Sequence, residues 1–348
     1  MKIVVDNKIP FLKGRLEPLG DVVYMDPASF TPEIVSDADA IVIRTRTHAG
    51  EELLGGSGVS LVATATIGTD HIDIPWCESH GIAVENAAGC NAPGVAQWVW
   101  SSLLRNGFDP SRHTLGVVGK GNVGSIVADW GRRMGVRVIV CDPPRARRGL
   151  TDEAYLPLEA VLREADAVTL HTPLMRDGED ATYHLIGDRE LQILSPGAML
   201  LNAARGEVVD NSALRSFLAS AGEDGKPIKT FLDVWEGEPS IDRTLLGLVT
   251  VGTPHIAGYS REGKERATRM AIEAIERHFG VEVDKKGLEG DYRAPAGEVT
   301  GERITESYDP DADTRMLREN PGGFEALRGD YNYRYEPSFD VVKGCESD

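Results

Sequence analysis

Residues 114–124 read TLGVVGKGNVG, and the chain continues SIVADWGRRMGVRVIVCD to residue 142. Gly119, Gly121 and Gly124 stand at GxGxxG spacing, a weak signal by itself in a chain with 38 glycines. Context strengthens it. TLGVV reads as a strand, NVGSIVADWGRRMG as the helix after it, and VRVIVC as a second strand ending in Asp142. That acid lies eighteen residues beyond Gly124. Strand, glycine turn, helix, strand and acid in this order compose a dinucleotide-binding unit. The glycines let the backbone approach a pyrophosphate, the helix start presents unpaired N–H donors, and the carboxylate accepts from the ribose hydroxyls. Arg145, Arg147 and Arg148 could pair with a 2′-phosphate, but Asp142 would repel that group, so NAD is expected as the cofactor over NADP.

Outward from this unit, the runs DAVTLHT, AMLLNAA, KTFLDVW and LVTVGT alternate with helical stretches such as ALRSFLASA, which predicts a mostly parallel, doubly wound sheet. The first 90 residues repeat the alternation with KIVVD, DVVYM, AIVIRT, LVATATIG and IAVENA. PGVAQWVWSSLL, from Pro93 to Leu104, has the apolar spacing of one buried helix, and FDPSRH breaks the pattern at Pro110. REGKERATRMAIEAIERHF, from Arg261 to Phe279, reads as a long amphipathic helix that leaves the second unit and packs on the first. The expected fold class is α/β, with two Rossmann-like doubly wound parallel-sheet domains and a cleft between them. Residues 1–92 with 262–280 form the substrate-binding domain and residues 93–261 the NAD-binding one. Residues 281–348 turn rich in Gly, Glu, Lys and Asp, then in tyrosine, and are too few for a large core of their own. A small C-terminal α+β dimerisation segment is expected there.

With 348 residues, 41% hydrophobic and 26% charged, the chain has room for two or three globular domains. It has no run of about 18 apolar residues of the kind that spans a bilayer, and the opening MKIVVDNKIP reads as a strand rather than a signal peptide. A formal charge of -18 argues against nucleic acid as a partner, though a few local donors could still hold a small anion. Cys77, Cys90, Cys141 and Cys345 are scattered, with no CxxC and no zinc-like histidine spacing, so no metal and a reduced, cytoplasmic location are expected.

Three further motifs close successive strands: NAARG (residues 202–206), LDVWEGEP (232–239) and TPHIAGY (253–259). They deliver Arg205, Glu238 and His255 to the edge of the sheet that carries the glycine loop. Those side chains suit oxidation of a 2-hydroxy acid. An imidazole takes the hydroxyl proton, a carboxylate on its far nitrogen fixes the tautomer, and an arginine fork grips the substrate carboxylate. Read singly, each is also compatible with a strand cap, an exposed acid or a packed core histidine.

With ATATIGTDHID (63–73), AAGCNAPGVAQWV (87–99), CDPPRARRG (141–149), HTPLMRDG (171–178), NAARGEVVDN (202–211) and GTPHIAGYSREGK (252–264), the chain resembles the D-isomer-specific 2-hydroxyacid dehydrogenases. The general pattern covers about residues 1–280, and the paired prolines after Asp142, the tyrosine after the histidine motif and FEALRGDYNYRYE are more similar to the erythronate-phosphate branch. The resemblance implies NAD-dependent oxidation of 4-phospho-D-erythronate to 3-hydroxy-2-oxo-4-phosphooxybutanoate, on the route to pyridoxal 5′-phosphate, by a homodimer. It implies Arg205, Glu238 and His255 as catalytic residues, and cofactor contacts at Asn122, Val123, Asp142, Thr172, Ala203, Asp233 and Gly258 beside the three loop glycines. It places the substrate, a small phosphorylated 2-hydroxy acid, on Thr45, Thr66 and Tyr259. Thr45 stands where that branch usually has serine, Phe11 where it has a phenol, and the tail is shorter than usual. His71 is expected to organise the Thr66 loop. Two other readings stay open: a phosphoglycerate or hydroxypyruvate type of dehydrogenase, and an NAD(H)-sensing interaction protein of the same fold.

Overall fold

A computed structural model describes residues 1–339 apart from 152, 225 and 226. These residues form two compact units, Met1–Asn91 with Ser260–Arg293, and Ala92–Tyr259 with the chain from Ala294 onward.

The first unit is built on a five-stranded parallel sheet of order β2-β1-β3-β4-β5. Its strands are β1 (Lys2–Asp6), β2 (Asp21–Met25), β3 (Ala40–Ile43), β4 (Leu61–Thr64) and β5 (Ala83–Asn86). The three inner strands are apolar almost throughout because both faces are covered. Ile3, Val5, Ala40, Val42, Leu61 and Ala63 feed one core, while their neighbours Val4, Ile41, Ile43 and Val62 feed the other, as a two-residue period requires. The helix Arg261–Phe279 buries Ala271, Ile272, Ala274 and Ile275 in the first of these cores. Ser260 caps its start by accepting from the Gly263 N–H, and Gly280, at φ 67°, ends it in the left-handed conformation.

The second unit carries a six-stranded parallel sheet of order β11-β10-β9-β8-β6-β7. Its strands are β6 (Thr114–Val118), β7 (Arg137–Cys141), β8 (Ala167–Leu170), β9 (Met199–Asn202), β10 (Lys229–Leu232) and β11 (Val251–Gly252). The chain winds outward from β6 to β7 and then returns to β8 on the other side of β6. Loops leaving β6 and β8 therefore part at their carboxyl ends, the place where open α/β sheets bind ligands.

The chain from residue 281 does not stand apart. Leu288 is buried in the first unit's core with Val281 and Val283 packed against it, whereas Leu317 and Phe324 are fully buried in the second unit's core. Where the sequence reading expects an α+β segment, the described residues beyond Ala294 contribute the helices Gly301–Ser307, Pro310–Glu319 and Phe324–Gly329 and no sheet strand. The first of these packs on the buried helix Ala92–Arg105, with Ser101 Oγ donating to the Ile304 carbonyl at 3.2 Å. The second lies along the sheet edge, where Thr314 Oγ1 accepts from the Gly252 N–H at 3.1 Å, so β11 is not left as an open edge.

Cys77, Cys90 and Cys141 are buried and unbridged, and Cys345 lies outside the described residues. Among the described residues no helix is long and apolar enough to cross a membrane. Because Phe324 is wholly buried, Phe324→Ala should destabilise the second unit by about 3–5 kcal/mol, read as a lower urea midpoint. An unchanged midpoint would mean that the segment contributes nothing to that core.

Candidate active site

The glycine loop leaves β6, and its three glycines meet different surroundings. Gly119 turns at φ +89°, and a Cβ there would lie 2.7 Å from the His171 carbonyl oxygen beyond β8. At Gly124 a Cβ would sit 2.0 Å from the Gly119 carbonyl oxygen, so the helix Asn122–Arg133 packs onto the turn only without a side chain. Around Gly121 nothing lies within 4 Å of that position, which leaves open space for an incoming group to reach the backbone. The N-cap Gly121 offers no side-chain cap to this helix, whose first turn holds Asn122 and Val123, and initial N–H groups of that kind are the donors an anion can take up.

Asp142, just past β7, accepts from the Lys120 N–H at 2.7 Å and from the Arg145 N–H at 3.0 Å. The carboxylate is thereby fixed beside the glycine turn, with lone pairs left for ribose hydroxyls. The nearby arginines are turned to protein partners: Arg145 Nε donates to the Tyr155 hydroxyl at 2.9 Å, and Arg147 pairs with Asp180 and Glu179. Beyond β8, His171 Nδ1 and Thr172 Oγ1 are buried atoms without a hydrogen-bond partner among the described residues. Burial pushes the His171 imidazole down to about 3, so it is neutral. Two orphaned polar atoms beside an open glycine cradle are what a bound dinucleotide would satisfy.

Arg205, Glu238 and His255 lie in the loops that follow β9, β10 and β11. Ala203 follows β9 directly, and Asn202 holds the next two residues: its Oδ1 accepts from the Ala204 N–H at 3.1 Å and its Nδ2 donates to the Arg205 carbonyl at 2.8 Å. Gly206 presses on the next loop, since a Cβ there would fall 2.1 Å from the Trp235 carbonyl carbon. The Glu238 carboxylate is bound at both oxygens. Oε1 accepts from the Trp235 N–H at 2.9 Å, and Oε2 stands 2.7 Å from His255 Nδ1. Burial raises this acid, but the His255 hydrogen bond and charge, the Trp235 N–H and the Arg328 charge together hold it below the ordinary carboxylate range. With an ionised carboxylate as the acceptor, the proton between them belongs on Nδ1, leaving Nε2 to face a ligand.

His255 has φ 57°, a left-handed backbone rarely adopted by a non-glycine residue. Asp233 imposes it. Its buried carboxylate accepts from Thr253 Oγ1 at 2.6 Å, from the Ile256 N–H at 2.8 Å and from the Ala257 N–H at 2.9 Å. Its carbonyl accepts from the His255 N–H at 2.8 Å. Burial pushes the Asp233 carboxyl up against the opposing pull of His255 and these donors. The sequence reading makes Asp233 a cofactor contact, and the structure gives its carboxylate three protein donors on the histidine loop as well.

Thr45 and Thr66 belong to the first unit, just past the ends of the adjacent strands β3 and β4. Thr45 is exposed, and Thr66 Oγ1 lies 2.6 Å from Thr64 Oγ1. His71 is buried 3.4 Å from that same Thr64 hydroxyl, and burial lowers its imidazole to about 4, against Asp70 and with His48. Arg44 clamps the buried Asp6, with Nε at 2.9 Å and Nη2 at 3.3 Å from its two oxygens.

The C-terminal stretch reaches the histidine loop, which sequence reading missed. Arg334 donates to Gln97 Oε1 at 2.8 Å and to the carbonyls of Ile256 at 3.0 Å, Gly94 at 3.1 Å and Ala257. Its guanidinium stacks on the Tyr308 ring. Tyr331 and Tyr333 set their edges against Tyr259, and Arg328 Nε donates to the Tyr259 hydroxyl at 3.1 Å. An arginine inside the tyrosine run YNYRY was the one available signal. His184, Asp210 and Glu236 also come together, with ligand atoms within 4.8 Å of one another, although no metal is expected from sequence. Here the imidazole already meets both carboxylates, at 3.4 Å and 2.5 Å, and braces the Glu236 loop.

The fold and this edge define a dinucleotide-linked dehydrogenase of the 2-hydroxyacid class. A family model described as the NAD binding domain of D-isomer specific 2-hydroxyacid dehydrogenases matches residues 93–257. Erythronate-4-phosphate dehydrogenase of Bacteroides fragilis is 43% identical, with 97% of both chains covered. The same-named protein of Yersinia pestis is 40% identical, covering 97% of this chain and 93% of its own. A solved structure of NAD+-bound 3-phosphoglycerate dehydrogenase from Entamoeba histolytica is 25% identical with a TM-score of 0.65, covering 84% of this chain and 99% of that one. The chain belongs to the erythronate-4-phosphate dehydrogenase family and is an NAD-dependent dehydrogenase.

Gly121→Val should leave the melting temperature unchanged but weaken NADH binding by about tenfold or more, read by fluorescence titration. Gly124→Ala should lower both. If Gly121→Val bound NADH normally, the open side of the turn would not be the pyrophosphate site. A second expectation concerns pH. Glu238 titrates lower folded than its unfolded value of 4.5, so its contribution to stability is complete above 4.5 and lost as pH falls through the folded value. Glu238→Gln should therefore flatten the acid side of the urea stability profile, and an equally steep acid loss in the variant would contradict the depressed carboxyl.

Proposed function

We propose that the chain oxidises 4-phospho-D-erythronate to 3-hydroxy-2-oxo-4-phosphooxybutanoate, the activity for which its relatives are named, and does so as a cytoplasmic homodimer. The observation that carries the chemistry is the 2.7 Å contact of His255 Nδ1 with Glu238, on the sheet edge where the open glycine turn also lies. Gly119, Gly121, Gly124, Asn122, Val123, Asp142, Thr172, Ala203, Asp233 and Gly258 would hold the dinucleotide, which when bound supplies the acceptor for the hydrogen on substrate carbon 2.

The protein's own residues handle the rest. Arg205 binds the substrate carboxylate through a guanidinium fork and polarises the adjoining carbon–oxygen bond. His255 Nε2 accepts the hydroxyl proton as that bond becomes a carbonyl, and returns it in the reverse reaction. Glu238 keeps Nδ1 protonated throughout and stabilises the imidazolium that forms. Thr45, Thr66 and Tyr259 contact the substrate through their hydroxyls.

The test is a substrate panel of 4-phospho-D-erythronate, 3-phosphoglycerate and D-erythronate, with a 2-oxo acid present to reoxidise NADH. The first should give the highest kcat/KM, and faster oxidation of 3-phosphoglycerate would assign the chain another acid. His255→Asn should lower kcat by about 1,000-fold or more, with NADH affinity unchanged within about threefold. Ordinary turnover in that variant would remove the general base from this account.

A further inference from the structure

Arg328 enters the chemistry described above only through the charge that helps hold Glu238 ionised. It lies in the last turn of the helix Phe324–Gly329, and its side chain is 19% exposed. Nε donates to the Tyr259 hydroxyl at 3.1 Å, and Tyr259 lies four residues beyond His255 on the loop that Asp233 anchors. Nη1 is 3.8 Å from Glu325 Oε1, too far for a hydrogen bond, and among the described residues neither terminal nitrogen donates one. The segment bearing it is fixed by Arg334, whose donors are taken up by Gln97 and by the carbonyls of Gly94, Ile256 and Ala257.

A phosphorylated 2-hydroxy acid presents two anionic ends. Arg205 accounts for the carboxylate beside the reacting carbon. The far phosphate needs a second cation, and a planar fork with open terminal nitrogens matches it. We propose that Arg328 is a specificity-determining residue, binding the distal phosphate of the substrate, with Tyr259 aligning its guanidinium. This rests on the substrate class proposed above. The C-terminal segment then completes the substrate site of its own chain, in addition to any part it takes between chains.

Steady-state kinetics on phosphorylated and unphosphorylated forms of the same acid test this. Arg328→Gln should lower kcat/KM for 4-phospho-D-erythronate by about 100-fold while changing that for D-erythronate by less than about threefold. Arg328→Lys, which keeps the charge and loses the fork, should show a smaller loss with the same selectivity, and it carries the test if the glutamine variant does not fold. An equal loss for both substrates would overturn the proposal, because a residue that only supports the His255 loop serves both. So would a Tyr259→Phe variant with the full phosphate-selective loss, since Arg328 would then act only through the phenol. If the unaltered enzyme prefers 3-phosphoglycerate, the substrate reading fails separately, and the same comparison is made with glycerate as the unphosphorylated partner. Fastest oxidation of an unphosphorylated acid by the unaltered enzyme would overturn both.

Discussion

The site depends on one buried carboxylate. Asp233 takes three hydrogen bonds from Thr253, Ile256 and Ala257, and its carbonyl takes a fourth from His255. A buried acid without such donors would be strongly unfavourable, so the loop after β11 must fold around it. Folding that way forces His255 to φ 57°, a conformation that costs of order 1–3 kcal/mol for a non-glycine residue. In return the imidazole is aimed at Glu238, whose other oxygen is tied to the Trp235 N–H. Orientation of the imidazole is thus set by hydrogen bonds made within the protein itself.

Around that point the second unit locks its loops to one another. Gly206 allows the Arg205 turn to lie against the Trp235 backbone, so the arginine and glutamate loops pack directly on each other. His184 holds Glu236 from one side, and Trp235 Nε1 donates to the Thr253 carbonyl from another. Arg334 then gathers the carbonyls on the far side of the histidine loop. A loop otherwise short of partners for its carbonyls acquires them from a segment about 75 residues later in the chain.

Much of this was legible because it is local. GxGxxG and an acid eighteen residues on describe one βαβ unit, and in the structure Gly119 and Gly124 have no room for a side chain while Gly121 faces open space. Strand runs with both faces apolar announced parallel sheets, and both sheets are parallel throughout. Arg205, Glu238 and His255 could be gathered on one edge because each directly follows a strand, and parallel strands end on the same side. The C-terminal stretch was less legible for a physical reason. Its few apolar residues suggest a partner elsewhere, and nothing in their spacing says that Leu288 belongs to one unit while Leu317 and Phe324 belong to the other.

What the sequence determined by itself was the class of chemistry: the cofactor cradle, the acid beside it, and an arginine, a carboxylate and a histidine at strand ends. Those features are fixed by spacing and strand periodicity within tens of residues. Only the tertiary structure decided the strained backbone of His255, the threefold engagement of Asp233, and the places of Arg328 and Arg334. Each rests on hydrogen bonds between groups some 20 to 240 residues apart. Such pairs leave no periodic trace, because a guanidinium in a tyrosine-rich tail reads the same in sequence whether it faces solvent or the carbonyls of a distant loop.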